Sequence, residues 1–327
     1  MTPTGWIQRW LGRSRRVRLG VLVLAAVVLP AVFAEIIAAD APVLAVGSRG
    51  VTVLPAVVPP AAYEGRDRPG IVAYHEDDTT IWPLVRCGPT SDCGDGVDVG
   101  ASIAHPLGTD AAGRDVLARV VYGARHALGL ALAALVLATI FGVLLGALAG
   151  YVGGFWDEVL ARPIELVQAF PAIVVVAVIR AIFPEHGAWS LVAAVAAVRW
   201  AEVARLVRAE VVRVGAQPHV LAARALGCGH LRVLRRLIFP PALRPVVVSA
   251  MFGVASIVLL EVAVSFLGLG VDGSWGVMLA EGLGGDSLRT TLAAGAALAI
   301  TVTATYLVAD ATEEALDATV ATTSRGF

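Results

Sequence analysis

The sequence predicts an all-α integral membrane protein with about six transmembrane helices. Hydrophobic residues make up 57% of the 327-residue chain and charged residues only 16%, whereas soluble domains average roughly 45–50% and about 25%. A soluble core cannot enclose this much apolar surface, but a lipid bilayer can cover it. The net charge of -1 indicates neither a nucleic-acid partner nor an acidic substrate.

Six apolar windows each approach the roughly 20 residues that a helix needs to cross the hydrocarbon core. They lie at 19–39, 127–150, 163–183, 188–208, 245–268 and 290–310. The first window could instead be a cleaved secretory signal, because arginines precede it and small residues lie near Ala31–Ala34. Its apolar run continues to Ala39, which is longer than a signal core and favours an uncleaved membrane anchor.

The arginines predict how the spans are oriented. All 25 basic residues are Arg, and the strongest clusters lie in 1–18 and 205–244. Positive charge is enriched on the cytoplasmic side of membrane proteins, and six crossings place both clusters there. The predicted organisation is a cytoplasmic tail at 1–18, a first span at 19–39, an extracytoplasmic segment at 40–126, a five-helix core at 127–310 with a cytoplasmic loop at 215–241, and a cytoplasmic tail at 311–327.

The extracytoplasmic segment has two parts. Residues 40–104 are rich in Pro, Gly, Val and Asp without a helical period, which predicts a small β-rich or irregular domain. Residues 111–126 place apolar side chains at helical spacing opposite arginines, as in an amphipathic helix at the membrane surface. An oxidising exterior would permit a disulfide between Cys87 and Cys93. With Cys228 alone elsewhere, the cysteines do not predict a metal site.

The loop at 215–241 combines helix-starting and helix-ending residues. Pro218 can begin a helix, since its missing N–H costs nothing in a first turn, and Gly227 permits the turn that ends it. A second, basic helix is expected at 231–239, stopped by Pro240–Pro241. The small residues after Pro218 suggest a short rigid helix that docks into a partner. A surface helix resting on anionic lipid is the alternative.

Ionisable residues inside the spans are candidates for a solute path, because charges in hydrocarbon are costly. Glu261 lies well inside the fifth window, and Arg199 and Glu202 lie in the fourth. Interhelical pairing is the alternative role for Glu261. Glycines 142, 146 and 150, each four residues apart, predict close packing against a neighbouring span or another subunit.

Ordered motifs extend over about 105–318. They include HPLGTD at 105–110, GRDVL at 113–117, YGAR at 122–125, ARLVR at 204–208, AARALG at 222–227, IFP at 238–240 and SFLGLG at 265–270. This series resembles the second of the two inner-membrane permeases of ABC importers for dipeptides, oligopeptides and nickel. The resemblance implies the type I ABC importer permease fold in a bacterial plasma membrane, and a transport subunit rather than an enzyme.

The resemblance also implies partners and contact residues. The partners are a sister permease, cytoplasmic ATPase subunits that bind ATP and Mg²⁺, and an extracytoplasmic solute-binding protein that delivers peptides or related solutes. The residues implied in ATPase coupling are His219, Leu221, Ala222, Ala223, Ala225, Leu226, Gly227 and Cys228. The family usually has Glu where this chain has Leu221, and an apolar side chain cannot make the contacts of a carboxylate.

Nucleotide binding and two alternative functions each require features that can be sought in the sequence. The chain contains no GxxxxGK[ST] phosphate-binding loop, so no cofactor is expected on this chain. A secondary transporter often has inverted repeats and more intramembrane charges. An intramembrane enzyme would need a nucleophile–base pair or paired carboxylates within the spans, and no convincing set is found.

Overall fold

The computed structural model describes residues 15–47, 50–53, 79–183, 187–285 and 287–324. The chain divides into two compact units. The first combines Met1–Leu22, Leu128–Val264 and Val302–Phe327, and the second combines Val23–Ala127 and Ser265–Thr301. Most of the predicted tail at 1–18, and residues 54–78 of the predicted extracytoplasmic domain, lie outside the described residues.

Helices dominate the structure, as the composition predicts. They are α1 (Arg15–Val32), α2 (Ala34–Ile37), α3 (Val116–Val152), α4 (Gly154–Ala169), α5 (Ala172–Ile182), α6 (Gly187–Gly215), α7 (Pro218–Ala225), α8 (His230–Val233), α9 (Phe239–Ala242), α10 (Arg244–Val264), α11 (Trp275–Gly284) and α12 (Leu288–Ser324). π-Helical segments at Leu234–Ile238 and Ser265–Leu269 follow α8 and α10.

The predicted six membrane spans are not all confirmed. Among the described residues, three helical stretches are long and apolar enough to cross a membrane: Val116–Val152, Arg244–Leu269 and Leu288–Leu316. The pair α4 and α5 adds a fourth if its two arms form one span. The predicted first span at 19–39 holds most of the shorter apolar helix Val17–Val32 and the four-residue helix α2. The predicted fourth span lies in α6, which is long enough but carries several charged side chains.

The expected third span at 163–183 is not one straight helix. α4 ends at Ala169, α5 starts at Ala172, and their axes are bent by 91°. Phe170 is extended, with φ -101° and ψ 145°, because a residue that precedes proline is sterically excluded from the helical region. Pro171 therefore breaks the span completely rather than kinking it.

Two other predicted boundaries are wrong. The amphipathic helix expected at 111–126 is not a separate element, because α3 begins at Val116 and runs unbroken for 37 residues. No proline interrupts this stretch, and at about 55 Å it is longer than the hydrocarbon core. Pro240 and Pro241 do not stop the basic helix either. They occupy the first turn of α9, where a missing N–H is tolerated.

The second unit contains a small antiparallel sheet, in agreement with the predicted β-rich character of 40–104. Strands β1 (Leu44–Gly47), β2 (Gly50–Val53) and β3 (Thr79–Ile81) pair in the order β2-β1-β3, and Leu44 lies opposite both Val53 and Ile81. A disulfide joins Cys87 to Cys93. Cys87 packs with Val85, Ala38 and Ala118 in a buried cluster.

Candidate functional site

α7 is a short helix whose two ends are defined by local backbone chemistry. It starts with Pro218 in the first turn, as predicted, after the extended residue Gln217. At the other end Gly227 adopts a φ of +80°, which only glycine reaches without strain. The Cys228 N–H donates to the Ala223 carbonyl at 3.1 Å, and the Gly227 N–H donates to the Arg224 carbonyl at 3.0 Å. These two bonds form a Schellman motif, which fixes the length of α7.

One side chain of α7 attaches it to the core, and the rest of its surface is open. Val220 is completely buried among Val214, Val233 and Ile238. Leu221 and Leu226 are 52% and 85% exposed. Of the other residues predicted to couple to an ATPase, His219, Ala222, Ala225 and Gly227 are exposed, and Ala223 and Cys228 are half-buried. α7 therefore presents a mostly apolar, small-residue surface that nothing in the described chain covers.

Contacts from α3 hold the loop that carries α7. Tyr151, in the last turn of α3, donates its hydroxyl to the His230 carbonyl at 3.1 Å, and its Oη lies 3.0 Å from His230 Nδ1. The Arg224 guanidinium lies over the Tyr151 ring, 5.4 Å from its centroid, as in a cation–π contact. Tyr151 is not among the residues predicted to couple to an ATPase, although the pair Gly150–Tyr151 near the end of α3 also resembles a motif of the family.

Helices α3 and α6 pack with their backbones in close contact. A Cβ added at Gly142 would lie 2.5 Å from Val203 Cβ, and one at Gly146 would lie 2.3 Å from the Ala204 carbonyl oxygen. α3 and α6 are therefore in direct contact along the predicted glycine stripe, whose partner is a helix of the same chain. Helix α4 is joined to α6 by an ion pair between Asp157 and Arg208, whose Oδ2 and Nη2 atoms are 2.8 Å apart.

The structure separates the predicted path residues into two places. Arg199 and Glu202 form an ion pair on α6, with Nη1 and Oε2 2.6 Å apart. The guanidinium of Arg199 lies against Gly253 of α10, where a Cβ would be 3.1 Å from its Nη2. Glu261 is 1% exposed and lies more than two turns further along α10. It is an interior residue of the first unit.

An open groove of about 550 Å³ runs between α6, α10 and α12. Its charged lining consists of Glu202, Arg205 and Glu313, and its apolar lining includes Leu206 and Phe252. Charged side chains that face hydrocarbon are costly and normally face water instead. These charges therefore predict that the groove faces water rather than lipid. Arg205 and Glu313 were not predicted as path residues, because in sequence they belong to a basic cluster and to a tail.

A second polar site lies in the second unit. Arg114 and Arg119 each donate to both Asp110 and Glu281, over distances of 2.5–2.8 Å. Burial would raise the pKa of Asp110, but hydrogen bonds from the backbone N–H groups of Arg114 and Ala112 and the charges of both arginines hold it below its ordinary 3.8. This network joins the start of α3 to α11.

His105 links two further carboxylates nearby. Its Nδ1 lies 2.8 Å from Asp115 Oδ2 and its Nε2 lies 2.8 Å from Asp95 Oδ2. Burial would lower the pKa of His105, but the hydrogen bonds to the two aspartates outweigh this effect and raise the pKa above its ordinary 6.5. In the part of the chain that the structure describes, no group of His, Cys, Asp and Glu side chains is arranged to hold a metal ion.

Comparison with known proteins agrees with the motif series. Residues 142–322 match the family described as "Binding-protein-dependent transport system inner membrane component". The oligopeptide transport system permease protein OppC of Bacillus subtilis is 34% identical over 182 residues, which cover 55% of this chain and 59% of OppC. The chain thus spans less than two thirds of that relative.

Other relatives are matched over more of their length. The dipeptide transport system permease protein DppC of Alkalihalophilus pseudofirmus is 34% identical over 223 residues, covering 67% of this chain and 73% of DppC. A crystal structure of an amino acid ABC transporter with histidines superposes with a TM-score of 0.47 and 19% identity, covering 58% of this chain and 91% of that one. With more than half of its length matched by the family, this chain is a membrane protein that belongs to the binding-protein-dependent transport system inner membrane components.

Proposed function

We propose that this chain is a permease subunit of an ATP-driven ABC importer. With a sister permease it forms the translocation path for peptides or related small solutes, which an extracytoplasmic binding protein delivers. The relatives OppC and DppC are named as oligopeptide and dipeptide permeases, which supports this solute class. The chain resides in the bacterial plasma membrane with both termini in the cytoplasm, an orientation supported by its arginine clusters.

The observation that carries the proposal is the geometry of α7. A helix with one buried side chain, Val220, and an open apolar surface fits into a groove of a cytoplasmic ATPase subunit. ATP and Mg²⁺ bind to that subunit, and its closure moves α7. Because Tyr151 contacts the same loop, the motion reaches α3 directly, and the chain transmits the work without hydrolysing nucleotide.

Leu221 is compatible with ATPase coupling, although its side chain is apolar rather than charged. It replaces the family's usual Glu and is half exposed, so it offers the ATPase an apolar contact in place of a charged one. The groove lined by Glu202, Arg205 and Glu313 is the chain's contribution to the water-filled path. Its charges of both signs suit solutes that carry both an ammonium and a carboxylate group.

The decisive experiment compares two glycines on either side of Cys228. Gly227 requires a φ of +80°, which a β-branched residue adopts only with strain. Gly229 has a φ of -60°, and a Cβ there meets nothing within 4 Å. We expect Gly227→Val to abolish solute-stimulated ATP hydrolysis and solute uptake in the reconstituted transporter, while Gly229→Val retains both.

Membrane insertion and the amount of purified chain should be equal in both variants, because neither glycine packs against other residues. Co-purification of an ATPase subunit with the wild-type chain tests the assembly itself. Full uptake by the Gly227→Val variant, or a wild-type chain that transports with no ATPase subunit bound, would contradict the proposed function.

A further inference from the structure

The helical segment after α7 carries three arginines on one face. Arg232 lies in α8, and Arg235 and Arg236 lie in the π-helical segment Leu234–Ile238. All three are exposed, whereas Val233 and Ile238 on the opposite side are buried in the core. Spacings of three and four residues place side chains on the same side of a helix. The arginines therefore form one basic face directed away from the protein core.

These arginines line an open depression with a volume of about 870 Å³, together with His230 and the backbone of Gly227 and Gly229. None of the three forms an ion pair with an acid in the described part of the chain. Other exposed arginines do pair: Arg162 with Glu165, and Arg213 with Glu210. No acidic side chain of the described chain therefore neutralises the basic face, and its positive charge is available to a ligand outside the chain.

The position of the basic face relative to a membrane span restricts what this ligand is. Arg236 precedes Arg244, the first residue of α10, by eight residues, or at most about 12 Å along a helix. α10 begins a stretch that is long and apolar enough to cross the membrane. The headgroup layer extends several ångströms beyond the hydrocarbon core, and arginine side chains reach toward it. Arginine side chains at this distance from the span can reach the layer of lipid phosphates.

We propose that this basic face binds the phosphate group of an anionic phospholipid. Guanidinium groups bind phosphate oxygens through paired hydrogen bonds, and basic clusters beside a span attract anionic headgroups. Leu231, which is 66% exposed beside the arginines, suits the boundary between headgroups and acyl chains. This lipid site adjoins the apolar surface of α7, since Gly227 borders both, but it does not require the transport function proposed above.

The test measures lipid binding to the full-length chain in nanodiscs. The probe is fluorescent phosphatidylglycerol titrated into phosphatidylcholine discs, with the wild-type chain, the double variant Arg235→Gln/Arg236→Gln, and a matched control, Arg162→Gln/Arg213→Gln. Removing a charge near the surface weakens binding about fivefold, so we expect a loss of about 25-fold in the double variant. The control, which removes the same total charge, should change binding by less than about twofold, because Arg162 and Arg213 are already paired with Glu165 and Glu210.

Three results would overturn the proposal. Equal phosphatidylglycerol affinity in the wild type and the double variant would show that the arginines do not bind the lipid. Displacement of the lipid by excess inorganic phosphate would show a site for the free anion. If the double variant keeps its lipid but loses a co-purifying protein subunit, the basic face belongs to a protein interface. Gel filtration and circular dichroism of all variants exclude misfolding as the cause of lost binding.

Discussion

Replacing Gly146 by alanine tests the close contact between α3 and α6. The new Cβ would lie 2.3 Å from the Ala204 carbonyl oxygen and 2.9 Å from its Cα. An ordinary contact begins near 3.4 Å, so the two helices must separate by about 1 Å. The obstructing atoms belong to the backbone of α6 and cannot rotate away. Overpacking of this kind costs about 1–3 kcal/mol.

Gly129 supplies the matched control, because it lies in the same helix and a Cβ there meets nothing within 4 Å. Gly129→Ala should leave stability unchanged or raise it, since alanine favours helix. For Gly146→Ala, a cost of about 2 kcal/mol lowers the melting temperature by roughly 4–8 °C on the scale of domains of this size.

The assay is thermal unfolding in detergent, followed by circular dichroism at equal detergent concentration. Gly142→Ala, whose Cβ would lie 2.5 Å from Val203 Cβ, should also destabilise the protein. If Gly146→Ala melts at or above the temperature of Gly129→Ala, then α3 and α6 are not in backbone contact, and the packing described for the glycine stripe is wrong.

Two further predictions concern the pH response of the second unit and the water-filled groove. Because the pKa of His105 is raised in the folded state, its protonated form stabilises the fold below about pH 6.5, and this contribution disappears as the pH rises through the folded-state pKa. Amide protection factors at 98–116, which are exchange rates corrected for the intrinsic base-catalysed rate, should therefore fall as the pH rises above about 6.5 in the wild type and not in His105→Gln. An equal fall in both proteins would exclude His105 as the titrating group. The second prediction uses a Cys228→Ser background, in which Ser249→Cys in the groove should react with a membrane-impermeant maleimide at least about tenfold faster than Leu259→Cys. Leu259 is the control, because it is exposed on α10 outside the groove lining and so faces lipid. Equal rates would show that the groove is not water-filled.

The polar network of the second unit illustrates how distant parts of the chain determine a site. Arg119 is buried with only 2% of its side chain exposed, and it bridges Asp110 to Glu281, which is 162 residues away. Each arginine in the network contacts both carboxylates, so removal of any one group leaves the other three in contact but with one charge in excess, a change that is costly for buried groups. The network therefore holds α11 against the start of α3.

The sequence alone determined the membrane class, the position of α7 and the glycine stripe. Each depends on properties that act within a few residues: apolar composition, the missing N–H of Pro218, the positive φ available to Gly227, and the fourfold spacing of glycines 142, 146 and 150. Such features impose the same backbone geometry wherever the segment lies. The break at Phe170–Pro171 was also encoded locally, although its 91° angle was not.

Tertiary structure decided what each of these elements touches. Packing of α6 against α3 and α10 decides where its charged side chains lie, because Arg199 lies against Gly253 and Glu202 lines the groove. Val220 became the buried contact of α7 because the core beneath it is assembled from α6 and the segment after α8. Partners of this kind are far apart in sequence, and burial and ion pairing depend on distances that only the folded chain establishes.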